Sequence, residues 1–244
     1  MANSPQGLFS VAIKLDFLRC EHPDLAEPFH RTVILLLQRL GAEFYRSMPF
    51  PQLVNPSPVD ELLPNGKVVG SIHFTHPLLQ SIRTDQEVIR DFQALYLMTV
   101  LKREITIGSV GVTEAVEGYR ECIQELAVGR IKFAKALIPY TWPCVAFVDE
   151  TFGAVVNERT LDECSMRHLF WCTYFGPSYV KLHGLDFFKN APVWKVDEFE
   201  GGVFLIVTEK YLDFTVNEPK ECLKYMRQRF KNMRANRFKV DSSF

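Results

Sequence analysis

Between Val193 and Thr208 two apolar-rich runs are joined by Glu200-Gly201-Gly202, a sequence suited to a tight chain reversal. Val193–Phe199 and Val203–Thr208 are therefore expected to form a β-hairpin. That commits this part of the chain to antiparallel sheet, since parallel strands need a crossover of about a dozen residues or more. Period-two patterning recurs upstream. Phe9, Val11, Ile13, Leu15 and Phe17 alternate through Phe9–Arg19, a long strand with one buried face. Glu43–Met48, Lys67–Thr75, Ile105–Val112 and Cys144–Val148 also read as strands.

Helical spacing is interleaved with these strands. Leu25, Phe29, Val33, Leu36, Leu37 and Leu40 recur at intervals of three and four; Pro28 suits the first turn and Gly41 a C-terminal stop. Thr84 and Glu87 have capping-box spacing, followed by Val88, Phe92, Leu95 and Thr99, which predicts a helix over about Asp85–Lys102. Glu114–Ile138 is expected to be helical, bent or broken at Gly129 and ended by Pro139. A helix capped by Thr160 and Glu163 leads into Leu169–Phe175, which fits helix or strand. Pro177–His183 is a short helix stopped by Gly184. Glu218–Asn232 is a terminal helix with Leu223, Met226, Phe230 and Met233 as its apolar stripe. No βα unit repeats at a regular length, so the expected class is α+β: a mainly antiparallel sheet with packed helices, and a C-terminal hairpin followed by a terminal helix. One domain over 1–244 is expected, with a subdivision near 139–143 separating 1–138 from 144–244.

At 244 residues and 47% hydrophobic content, the chain can bury a sizeable core and is no disordered polymer. Its longest clean apolar runs, Val33–Leu37 and Val203–Val207, fall far short of the ~20 residues of a membrane helix. Lys14 and Asp16 interrupt the N-terminal apolar stretch and no basic region precedes it, so no cleaved signal and a cytoplasmic location are expected. The six cysteines have no framework spacing and are expected to be reduced and mostly buried.

A net charge of −1 conceals an asymmetry. Lys220–Lys239 holds eight Lys or Arg residues and one acid, Glu221, whereas residues 1–219 carry 20 bases and 27 acids. Docking of the Leu223–Met233 stripe leaves the basic side chains as a solvated outer face balanced by the acidic body. No nucleic-acid or membrane partner is expected from it.

Few residue sets suggest chemistry. Cys164, His168 and Cys172 are spaced i, i+4 and i+8, which on one helix aligns them for zinc or for a histidine-activated thiol. His73 and His76 form an H-x-x-H pair without a neighbouring carboxylate, His22 stands near Cys20, and His30 falls on the polar side of the first helix. Asp149 and Glu150 follow a buried strand, a common place for functional acids. No P-loop, G-x-G-x-x-G, G-x-S-x-G or H-E-x-x-H motif occurs, and no metal or cofactor is expected.

The run Tyr174-Phe175-Gly176-Pro177-x-Tyr179-Val180, then His183-Gly184, Asn190-Ala191-Pro192 and Glu200-Gly201-Gly202-Val203, is distinctive. It resembles the C-terminal part of bacterial immunity proteins that accompany polymorphic toxins, most closely the immunity-protein-52 family, over Tyr174–Asp213. The resemblance implies a cofactor-free, non-enzymatic protein of interbacterial competition that binds and blocks a cognate toxin, and it brings no catalytic residues. A thiol- or zinc-dependent enzyme using Cys164, His168 and Cys172 is the alternative from another class, and a structural or assembly subunit a third; a second copy of the chain is a further candidate partner. Two places suit a protein partner. The proline-rich loop Pro49–Gly66 presents Leu53, Val54 and Leu62 beside Asp60 and Glu61, combining steering charge with apolar contact. The strand end at Asp149 and Glu150 is the other.

Overall fold

The predicted hairpin forms one end of a long antiparallel ladder. The computed structural model describes residues 11–16, 34–35, 37–45, 71–75, 96–101, 104–109, 119–141, 143, 145–150 and 163–235. Nine strands form one sheet: β1 (Val11–Asp16), β2 (Glu43–Tyr45), β3 (Ser71–Thr75), β4 (Tyr96–Leu101), β5 (Glu104–Ser109), β6 (Val145–Glu150), β8 (Cys172–Phe175), β9 (Lys195–Phe199) and β10 (Gly202–Ile206). Their spatial order is β2-β3-β4-β5-β1-β6-β8-β10-β9, and every neighbouring pair is antiparallel. β1 lies at the centre, pairing Ile13 with Ile107 of β5 on one side and with Val148 of β6 on the other. The fold class is therefore α+β with a mainly antiparallel sheet. Two short strands, β7 (His168–Leu169) and β11 (Arg234–Ala235), form a separate parallel pair.

The helices described along their whole length are α1 (Tyr119–Thr141), α2 (Pro177–His183), α3 (Leu185–Lys189), α4 (Tyr211–Val216) and α5 (Lys220–Met226). Lys135 of α1 pairs with Asp197 of β9 and sits over the rings of Phe199 and Phe204, 5.4 and 5.3 Å from their centroids. Phe204 and Val203 point to opposite faces, as strand neighbours must. Val203 is registered with Phe175 of β8, whose ring stacks on Phe188 of α3 at 4.7 Å. Thus α1 covers one face of this end of the sheet, and α2 and α3 the other. Gln124 of α1 also clamps the start of α4, accepting from Tyr211 N and donating to the Glu209 carbonyl.

Local signals that close on themselves held. The hairpin pairs Phe199 with Gly202, leaving Glu200 at φ 47 and Gly201 at φ 70 as a two-residue turn of the twist that suits paired strands. Gly202 belongs to β10 itself. A Cβ there would lie 2.5 Å from the Phe175 carbonyl oxygen and 2.5 Å from the Tyr174 ring and hydroxyl, so the position admits only hydrogen. Pro177 opens α2 and Gly184, at φ 88, ends it. Gly41, at φ 90, stops the helical residues 37–39, where Leu37 and Ile34 are fully buried and Leu40 is half-buried. Ile34 extends the expected stripe, of which Leu25, Phe29, Val33 and Leu36 lie outside the described residues.

Three expectations are corrected. Tyr96–Leu101 is strand β4, not the end of a helix over Asp85–Lys102. It pairs along its length with β5, Leu101 opposite Glu104, and with β3, so sheet partners on both sides outweigh a local helical spacing. Helix α1 passes through Gly129 and carries Pro139 inside it, ending at Thr141. Only the last two residues of the helix follow Pro139, so little helix lies beyond its missing N–H, and burial of Leu137 and Ile138, both fully buried, offsets its cost. The terminal helix is shorter than Glu218–Asn232: α5 ends at Met226, yet Leu223, Met226, Phe230 and Met233 are all buried, the last two from a turn.

Candidate partner-binding groove

The residues that carry the resemblance pack into one unit. Tyr179 and His183, four apart on α2, share a helix side. The Tyr179 hydroxyl donates to the Ser165 carbonyl at 2.9 Å, and His183 Nε2–H donates to the Cys164 carbonyl at 2.8 Å. Together they pin the segment 163–167 in front of β7. Phe230 anchors a second segment on the same unit: its ring centroid lies 4.6 Å from His183, 5.7 Å from Phe175 and 6.4 Å from Tyr179. Such aromatic contacts contribute about 0.5–1.5 kcal/mol each beyond their burial. The Tyr225 hydroxyl adds a bond to the Phe187 carbonyl at 2.8 Å.

Between the two segments lies a groove of about 610 Å³, lined by Glu163, Ser165, Met166 and Arg167 on one wall and Arg229, Lys231, Asn232 and Arg234 on the other. An adjoining hollow adds Arg227 and Met233. Pairing of β7 with β11 closes its base: Arg234 N donates to the Arg167 carbonyl at 3.0 Å, and Arg234 Nε to His168 Nε2 at 3.1 Å. A ring nitrogen that accepts from a guanidinium is unprotonated, so His168 is neutral here with its proton on Nδ1. Burial, followed by the charges of Arg234 and Arg167, lowers the His168 pKa. Arg227 Nε is tied to the Met233 carbonyl at 2.7 Å, and the Arg229 guanidinium stands 5.8 Å from the Phe187 ring centroid. Arg167, Arg229, Lys231 and Arg234 are exposed, and none has a carboxylate partner among the described residues. Among the described residues, four cationic side chains therefore line the groove with one carboxylate, Glu163.

The sequence-predicted residues fall elsewhere. Leu53, Val54, Asp60, Glu61 and Leu62 lie outside the described residues, as does His76; His73 is in β3, opposite Leu97. Asp149 and Glu150 are the last residues of β6, registered with Ala12 and Val11 of β1. Asp149 is buried: its carboxylate accepts from Trp171 N at 3.0 Å and from the Tyr211 hydroxyl at 3.4 Å, so it holds β8 and α4 together. Cys164, His168 and Cys172 do not share a helix. Cys164 sits in a turn at φ 44, His168 in β7 and Cys172 in β8. Burial pushes the Cys172 thiol far up, with Lys135 opposing only in part, and the Cys222 thiol up to about 12. Neither is poised as a nucleophile. Among the described residues no three His, Cys, Asp or Glu side chains converge as a metal site.

Arg167 lies in a segment whose capping signal predicts helix, and the basic tail predicts only a solvated face, which its exposed side chains do form. The readable signal was Phe230 and Met233 flanking Lys231-Asn232, where Asn232 takes φ 60 and turns the chain into β11.

No family model matches the chain, and no curated protein matches it. Among solved structures it is similar to the Pseudomonas aeruginosa T6SS protein PA0821, with a TM-score of 0.48 and 11% identity, covering 93% of this chain and 74% of that one. No described helix is long and apolar enough to cross a membrane.

Proposed function

We propose that the chain is a non-enzymatic, cytoplasmic immunity protein that binds and blocks a cognate bacterial toxin. One observation carries the reading: the residues by which it resembles the immunity-protein-52 family, Phe175, Tyr179 and His183 among them, hold both walls of an exposed charged groove. A blocker needs a surface that is already in place before the partner arrives, because ordering it on binding would cost affinity. Aromatic packing beneath the groove and backbone bonds at its base supply that. The dispersal of Cys164, His168 and Cys172 over three elements, with a raised Cys172 thiol, weighs against the thiol-enzyme alternative. The Pro49–Gly66 loop, through Leu53, Val54, Asp60, Glu61 and Leu62, is proposed as a second contact, toward a basic part of the toxin.

The test is co-expression with the product of a neighbouring secreted-toxin gene. Survival of the host only when this chain is present, with the two proteins eluting as one complex, is the expected result. Loss of protection without any complex, or toxin breakdown catalysed at substoichiometric amounts of the chain, would overturn it.

A further inference from the structure

We propose that the groove between 163–167 and 229–234 receives a carboxylate-rich segment of a protein partner, gripped by Arg167, Arg229 and Arg234. The inference rests on the binding-protein reading only in assuming that the chain acts by holding another protein. A guanidinium is a planar fork that meets a carboxylate with two parallel hydrogen bonds, which a lysine ammonium cannot do. Arg234 spends its Nε–H on His168, and this bond fixes the plane of the fork while leaving both terminal nitrogens without a partner among the described residues. Arg167 is joined to Arg234 through the backbone, and Arg229 rests against Phe187. The Arg234 and Arg229 forks are thus seated on structure rather than carried by a loose stem, so less side-chain freedom is lost on binding.

Charge alone also suits a nucleic acid, but the lining does not. Among the described residues no aromatic ring lines the groove, whereas single-stranded nucleic acid is held by bases stacked on such rings. Glu163 stands in one wall, where it opposes a continuous phosphate backbone and suits a protein surface of mixed sign. Residues 1–219 carry seven more acids than bases, a charge that repels a long polyanion more strongly than a short acidic segment.

The experiment is fluorescence anisotropy on the full chain with a labelled glutamate-rich peptide, a lysine-rich peptide and a short oligodeoxythymidylate. The acidic peptide should bind, more weakly as salt rises, and the lysine-rich peptide should not. R167Q/R234Q should weaken acidic-peptide binding by about tenfold or more, while K132Q/K181Q, with the same charge change elsewhere, should leave it within about twofold. R229Q, which leaves the β7–β11 pair untouched, should weaken it severalfold and keeps the test open if the double variant unfolds. Tighter binding of the oligonucleotide than of the acidic peptide, or equal losses in the groove and control variants, would overturn the proposal. Toxin protection separates the two readings. A groove that binds the peptide in a chain that protects against no toxin refutes the immunity function alone. Full protection by the groove variants, with unaltered peptide binding, refutes the groove alone.

Discussion

The close approach at Gly202 makes a quantitative prediction that distinguishes it from its neighbour Gly201. In Gly202→Ala the new methyl would stand 2.5 Å from the Phe175 carbonyl oxygen and from the Tyr174 ring, where ordinary contact begins at 3.4 Å, so about 0.9 Å must be opened. The carbonyl belongs to β8, paired with β10 through Val203 and Phe175, and cannot swing aside without loosening that pairing. Tyr174 is buried and tied to the Glu200 carbonyl at 3.3 Å, and burial, then Glu200, already raises its pKa to about 12. Overpacking of this kind costs roughly 3 kcal/mol, and loss of the tyrosine bond adds about 1 kcal/mol. Reduced freedom of the unfolded chain returns about 0.4–1 kcal/mol. The net destabilisation is about 3 kcal/mol, which for a domain of this size lowers Tm by roughly 6–12 °C. Gly201→Ala meets only Pro177 Cγ at 3.4 Å, and its penalty is the φ of 70, about 1–2 kcal/mol before the same entropic return. Urea unfolding followed by circular dichroism, with calorimetry, gives both values. If Gly202→Ala lies within about 0.5 kcal/mol of wild type, or is the milder of the two, the close-approach reasoning fails.

Asp149→Ala removes a buried acceptor from Trp171 N and the Tyr211 hydroxyl and should cost roughly 2–4 kcal/mol in urea unfolding; a cost below about 1 kcal/mol contradicts its bridging role. Thr173 is buried with no hydrogen-bond partner for its hydroxyl among the described residues, so Thr173→Val should leave stability unchanged or raise it by about 1 kcal/mol, and a clear loss would show a missing bond. Cys164, Cys172 and Cys222 are buried, so native protein should show them unmodified by iodoacetamide near pH 8 on peptide mapping and fully modified only after unfolding; rapid native labelling of Cys172 would restore the thiol-enzyme reading. His168 titrates below its ordinary value of about 6.5, so on acidification the unfolded chain takes up the proton first. Its contribution to stability is whole above about pH 6.5, declines as the pH falls below that, and declines no further beneath the folded-state pKa. His168→Gln should flatten that limb of the urea midpoints; an identical pH slope in both proteins would refute a perturbed, neutral imidazole.

What the sequence could determine was whatever closes within a few residues. The Glu200-Gly201 turn, the Gly176-Pro177 entry to α2, the Gly184 exit and the buried set Leu223, Met226, Phe230 and Met233 depend on backbone freedom, a missing N–H or apolar periodicity, and these act locally. Nothing local marks Tyr96–Leu101 as a strand, because its spacing with Phe92 and Leu95 satisfies a helix equally well. Pairing with β3 and β5 decided it, since backbone groups inside a sheet take their partners from distant strands. The i, i+4, i+8 row of Cys164, His168 and Cys172 had the opposite fate: its order on a helix was sound, and the helix was not there. The groove was wholly out of reach of local reading. Arg167 and Arg234 are far apart in the chain and meet only because Tyr179 and His183 hold one segment while Phe230 is buried against the same helix. Charge in a sequence states how many ions a surface carries; where they converge is decided by which apolar side chains are buried beneath them.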